Sequence, residues 1–275
     1  MVYFTPAFRS SFSYPIWHIK KQVAYANHVL SECEIPVKLY IYCIEELAGF
    51  LEDQDCTKRI ADFQDAKKNL LNTADIGILM CGTQTKMAAG LANGSHPPIA
   101  WVYPWNDLVF LHEVGHLFGC LHDRESYQNV TTNPIVQKHN EYVNTHVITN
   151  CTVSNFGYLV KGSNMYTIMA YRNKNHDHWI PRFSSKDKMY RGFPLGDSQN
   201  DNRGQIIKTR FQVSKFGDES GNCSHHNGSC HTKCLQNCCP MYRLELGQFN
   251  WKEEILWKWQ QYSRFHPDHT KPLEN

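Results

Sequence analysis

An α/β fold, with helices packed on the faces of a sheet, is predicted by three features of this 275-residue sequence. Strand-like and helix-like segments alternate from the start, which is how chains that build such sheets read. One short apolar run has the length of a strand buried on both faces. A hydrophobic content of 41% can fill a sizeable core with an appendage left over.

Met1–Phe8 (MVYFTPAF) is rich in β-formers and stops at a proline, predicting an opening strand. Ile16, Ile19, Val23, Ala26 and Leu30 recur at helical spacing within Ile16–Cys33. Ile35–Ile44 alternates like a half-buried strand, Lys58–Ala74 reads as a second helix, and Ile76–Cys81 (IGILMC) is the buried strand. Gly90–Tyr103 offers turn chemistry followed by another β-prone piece. Next, Leu108, Leu111, Val114, Leu117 and Phe118 form an apolar helical stripe, with Asn106 or Asp107 as N-cap and Gly119 as stop.

That helix carries the chemistry. In HEVGHLFGCLHD (His112–Asp123), His112 and His116 project from one face a turn apart and Glu113 stands on the flank. Two imidazoles so spaced can grip one Zn²⁺, and the adjacent carboxylate can reach a metal-bound water without being a ligand. Gly119 tolerates a positive φ, letting the chain turn so that His122 returns as a third ligand. Three protein ligands leave a coordination place open, which separates a catalytic from a structural zinc site. A lone histidine on a helix is ordinarily a hydrogen-bonded core residue, but three with a glutamate in this register are not explained that way.

Composition limits the partners. The formal charge is only +2 and no long Lys or Arg run occurs, which argues against nucleic acid or a membrane surface. No apolar run approaches the ~20 residues of a spanning helix, and the first residues lack the apolar segment of a secretory signal. The eleven cysteines, five of them within Cys223–Cys239, nevertheless fit an oxidising compartment. Asn-x-Ser/Thr patterns begin at Asn93, Asn129, Asn150, Asn222 and Asn227, in polar, loop-like sequence. Together they predict a secreted glycoprotein whose signal and propeptide lie upstream of this sequence.

Met169, in YTIMAY (Tyr166–Tyr171), read alone is core packing. Following H-E-x-x-H-x-x-G-x-x-H, it resembles the Met-turn of the metzincin zinc endopeptidases. MVYFTPAF resembles the opening strand of the reprolysin or adamalysin branch, and IPRFSS with NDNRGQIIKTR its closing segment and last helix. The resemblance covers about residues 1–215. It implies a mixed, mostly parallel five-stranded sheet, an active-site helix and a smaller irregular C-terminal subdomain. It implies His112, His116 and His122 as zinc ligands, Glu113 as general base and Met169 as the Met-turn methionine. It further implies hydrolysis of internal peptide bonds in a protein or peptide substrate bound extended along an edge strand, somewhere within Gly90–Tyr103. The expected organisation is a catalytic domain over 1–219, divided near residue 122, a Cys-rich module over 220–240 and a tail over 241–275.

Two details mix subfamilies. Asp123 after the third histidine resembles the adamalysin pattern, in which it braces the site. Tyr171, two residues after Met169, resembles the astacin and serralysin arrangement, in which a tyrosine ligates the metal or donates to the oxyanion. The alternative for Tyr171 is a packed ring with its hydroxyl on a backbone carbonyl.

Cys120 inside the motif is expected in a disulfide, with Cys151 one possible partner, rather than on the metal, because a fourth protein ligand would close the site. Cys223–Pro240 lacks zinc-finger spacing and reads as a disulfide-stapled module. Since eleven is odd, one cysteine is left free, joined to another chain in an intermolecular disulfide, or partnered outside this sequence. Trp251–Phe265 is helical in pattern, with a docking face or a partner-binding face. Two rival functions stay open at this point. One is a secreted binding or adhesion protein with a structural zinc, for which Glu113 would have no use. The other is a thermolysin-like peptidase, which would use a downstream glutamate in place of His122.

Overall fold

The computed structural model describes residues 1–67, 74–86, 88–94, 98–128 and 154–216. The chain runs β1 (Val2–Phe4), α1 (Pro6–Ser11), α2 (Pro15–Glu32), β2 (Ile44–Glu46), α3 (Cys56–Lys67), β3 (Gly77–Met80), β4 (Gly90–Asn93), β5 (Ile99–Val102) and α4 (Asp107–Leu117). The five strands form one sheet in the order β2-β1-β3-β5-β4. All neighbours are parallel except β4, which pairs antiparallel with β5 and is an edge strand. This is the mixed, mostly parallel sheet that the resemblance implies.

Local chemistry explains three departures. Pro6 opens a helix instead of merely ending a strand: it stands at the first helical position, where its missing N–H costs nothing, and the Thr5 side chain accepts from Phe8 N at 2.9 Å. The expected strand Ile35–Ile44 pairs only from Ile44 onward. Its neighbour β1 has just three residues to offer, and along the rest the Asn27 side chain takes both the Leu39 carbonyl (2.9 Å) and N–H (2.7 Å), standing in for a strand. Asn93, expected in a loop as a glycan acceptor, is instead a β4 residue with 5% exposure. The other four acceptor patterns, Cys151, the Cys-rich segment and the tail helix lie outside the described residues.

Helix α4 is buried on every face from Leu108 to Leu117, packed against β4, β5 and α2. A helix apolar on all sides belongs in a core, and its polar members therefore need a reason to be there. Asn106 is the N-cap, accepting from Leu108 N at 2.8 Å. The smaller C-terminal part holds β6 (Leu121–Asp123), α5 (Arg124–Gln128), β7 (Phe156–Gly157), β8 (Met165–Tyr166), β9 (His178–Trp179), β10 (Met189–Tyr190), β11 (Phe193–Pro194) and α6 (Asn202–Val213). Its short two-stranded ladders set β6 beside β7 and β8 beside β9.

Among the described residues all five cysteines are buried, and burial pushes the Cys33 and Cys81 thiols up. No helix among the described residues is long and apolar enough to cross a membrane.

Candidate metal centre

Helix α4 delivers His112 and His116 from one face, and its C-terminus delivers His122. Gly119 adopts φ +86°, and two hydrogen bonds close the turn: Gly119 N to His116 O (2.9 Å) and Cys120 N to Gly115 O (3.0 Å). This is a Schellman ending, and it needs a residue without a Cβ at that position. Carbonyls left over at the helix end are capped from elsewhere: Asn155 Nδ2 donates to Gly119 O (2.8 Å) and Thr209 Oγ1 to Phe118 O (2.8 Å). The chain then reverses into β6, which carries His122 and Asp123.

The three Nε2 atoms form a near-equilateral triangle with edges of 3.2, 3.2 and 3.0 Å. A tetrahedral ion with bonds of 2.0–2.1 Å requires about 3.3 Å between ligand nitrogens. The rings are also held in the right tautomer. His112 Nδ1 lies 2.8 Å from Ile168 O and His116 Nδ1 2.7 Å from Cys120 O. A carbonyl can only accept, so both Nδ1 atoms carry a proton, and in the neutral rings both Nε2 atoms present lone pairs. At least two lone pairs thus converge on one buried point, an arrangement that is repulsive by itself and is relieved by a cation. Among the described residues these three are the group of metal-capable side chains that comes together.

Glu113 is 5% exposed, and its Oε2 has no hydrogen-bond partner. Burial pushes its carboxyl well above the usual range. A buried carboxylate left unpaired is costly, so its presence inside α4 calls for a use. Asp123, by contrast, is fully engaged: it accepts from Ser126 N (2.8 Å), Ser126 Oγ (2.7 Å) and Tyr171 N (2.9 Å). It thereby ties the residue after the third histidine to the exit of the methionine turn.

Tyr171 stands with its ring over His122, centroids 4.2 Å apart, and 6.0 Å from His112. Burial first, then the Glu113 and Asp123 charges, push its phenol up, although 37% of the residue stays open to solvent and hydration limits that rise. Met169 is fully buried beneath α4. Cys120 is not on the metal triangle; its sulfur lies 3.7 Å from the Asn202 carbonyl.

The structure brings His112, His116 and His122 together, with Gly119 at the turn between them and Asp123, Met169 and Tyr171 beside them. It adds three residues that sequence reasoning missed. Trp179 Nε1 donates to the same Ile168 carbonyl as His112 (3.2 Å), and its ring meets His112 edge-on at 6.2 Å. Gly115 and Gly90 leave room for Met169 and Glu113 respectively. A glycine inside a helix costs about 1 kcal/mol, and one within a strand marks a close approach, so both carried a readable signal.

Three imidazoles whose Nε2 atoms converge on one buried point, with a buried carboxylate next in the chain, form a group that could hold a metal ion. Comparison with known proteins bears on the same segment. Residues 51–184 match the reprolysin model described as metallo-peptidase family M12, which identifies a metallopeptidase domain of that kind over those residues. Among solved structures it is similar to a chain in "Structure of a chaperone-substrate complex", with a TM-score of 0.57 and 14% identity, over 78% of this chain and 38% of that one. That likeness shows a shared fold, and this chain spans well under half of the solved one. No curated protein matches it.

Proposed function

We propose that this protein is a zinc-dependent endopeptidase. The observation that carries the proposal is the convergence of three Nε2 atoms within 3.2 Å, with at least two tautomers fixed by backbone carbonyls. His112, His116 and His122 would hold the ion, and their imidazole donor set suits zinc. When bound, zinc supplies a Lewis acid that acidifies water and polarises a carbonyl.

The remaining chemistry belongs to the chain. Glu113 accepts the proton of the attacking water and passes it to the departing amine. A nearby dication favours the ionised carboxylate, reversing the effect of burial and readying Glu113 as a base. Tyr171, held by Asp123 through its backbone N–H, is the candidate donor to the negative charge that develops on the scissile carbonyl. The edge strand β4 is where an extended peptide would pair, and main-chain pairing of that kind accepts internal stretches of many sequences. A secreted setting is supported by the cysteine density of Cys223–Cys239.

The test is digestion of a peptide library by the purified protein. Cleavage should occur within chains rather than at their ends, stop on chelation and return with one zinc per chain. Glu113→Ala should keep the metal and lose at least about a hundredfold in rate. A metal-loaded wild type that cleaves nothing would reject the proposal.

A further inference from the structure

We propose that Gly90, on the edge strand β4, is a positioning residue for the Glu113 carboxylate. This deepens the endopeptidase reading and rests on it for the role of Glu113. Gly90 pairs with Val102 of β5, and by strand alternation it shares a face with Ala92, which is buried in the core cluster that also takes in α4. Small residues on that face let α4 lie close over β4.

A Cβ added at Gly90 would meet Glu113 Cδ at 2.6 Å and Cγ at 2.7 Å, with Oε1 nearer still. Those distances are shorter than any real contact of a Cβ. Backbone conformation does not demand the glycine, since Gly90 is not among the residues with positive φ. Glycine weakens a strand, so what it provides here is space. That space matters because Glu113 Oε2 has no hydrogen-bond partner. With nothing bonded to that oxygen, packing sets where the carboxyl lies, and the missing side chain of Gly90 is one boundary of its site.

The atoms in the way are the outer part of a flexible side chain, not backbone. A methyl group at position 90 therefore turns the carboxylate aside and leaves the strand and helix in place. Misplacement of a reacting group by about 1 Å can cost on the order of a hundredfold in rate.

The experiment is Gly90→Ala in the full chain, read in three ways. Zinc content and thermal midpoint should match the wild type. A crystal structure should show the Glu113 carboxylate displaced with the α4 and β4 backbones unmoved. The kcat should fall on the order of a hundredfold with KM nearly unchanged. In a Glu113→Ala background, Gly90→Ala should have no further effect on the residual rate, because the two act as one unit. Glu113→Asp, one methylene shorter, should lose less against Gly90→Ala than against the wild type.

An unmoved carboxylate, or a rate loss that persists without Glu113, overturns the inference. So does misfolding of Gly90→Ala that Glu113→Ala fails to relieve, whereas misfolding that it relieves upholds the steric coupling. If the wild type hydrolyses nothing, the endopeptidase reading falls, and the displaced or undisplaced carboxylate still decides the role of Gly90.

Discussion

The Met169 sulfur sits directly under Gly115, where a methyl group added to the helix would come within 2.5 Å of it. Gly115 lies between the two histidines that α4 contributes, so the methionine supports the helix at the point where His112 and His116 leave it. Gly157 on β7 gives the backbone of the methionine room: a Cβ there would lie 2.7 Å from the Met169 carbonyl carbon. Met169→Ala should cost about 2–5 kcal/mol, and Met169→Leu, which nearly preserves volume, under about 1.5. Gly115→Ala alone should destabilise by about 1–3 kcal/mol through overpacking and should cost measurably less once Met169→Ala has emptied the space. Urea denaturation of the four proteins measures the coupling, and strict additivity would show that the two residues do not share that space.

Gly119 carries the turn that returns His122. At φ +86° an alanine is strained by about 1–2 kcal/mol. Gly119→Ala should lower stability by that amount and weaken zinc binding more than in proportion, because the strain is relieved by loosening the third ligand. Competition with a chromogenic chelator reads the affinity; a destabilised protein with wild-type affinity would show that the turn and the ligand are uncoupled.

The parts of this site legible in the sequence are those carried by local spacing. His112, Glu113 and His116 follow from helical geometry, and Gly119 follows from the need for a left-handed residue before His122. The edge strand was legible only as a region: β4 and β5 are four residues each, too short for periodicity to separate them from turn sequence. Ile35–Ile44 kept its alternation but lost its partner, because pairing depends on the length of β1, far away in the chain. The same reason hid the partners of Gly90, Gly115 and Trp179. Each acts on a residue brought near by the fold, and nothing in the neighbouring sequence names that residue.

Asp123, itself 2% exposed, accepts three hydrogen bonds. Hydrogen bonds to a charged acceptor contribute about 1.5–3 kcal/mol each, net of the bonds to water they replace. Asp123→Ala should cost several kcal/mol and lower metal affinity about 10–100-fold, as expected for a residue that orients the ligand shell. Asp123→Asn, which keeps one acceptor oxygen, should fall between. Calorimetry with zinc separates the effects, and an affinity unchanged in the folded alanine variant would confine Asp123 to stability.

Tyr171→Phe tests whether the hydroxyl or only the ring matters. The ring contact with His122 survives the change, so stability and zinc content should stay as in the wild type. If the hydroxyl donates to the developing oxyanion, kcat should drop about 10²–10³-fold with little change in KM. Equal kcat for both proteins would leave Tyr171 as a packing residue.

In the metal-free protein the buried Glu113 carboxyl holds its proton more tightly than the unfolded chain does. An unfolded glutamate titrates near about 4.3. Above that pH the unfolded state gives up a proton that the folded state keeps, so stability falls as pH rises, by about 1.4 kcal/mol per pH unit until the folded value is reached. Below it both states are protonated and the penalty is gone. Glu113→Gln removes the titrating group, so the metal-free variant should be more stable than the wild type at about pH 7, the two converging towards about pH 4. Denaturation in the presence of chelator at several pH values gives the two curves. A constant difference across that window would mean that Glu113 ionises as readily in the folded apoprotein as in the unfolded chain, and that burial leaves its proton affinity unchanged.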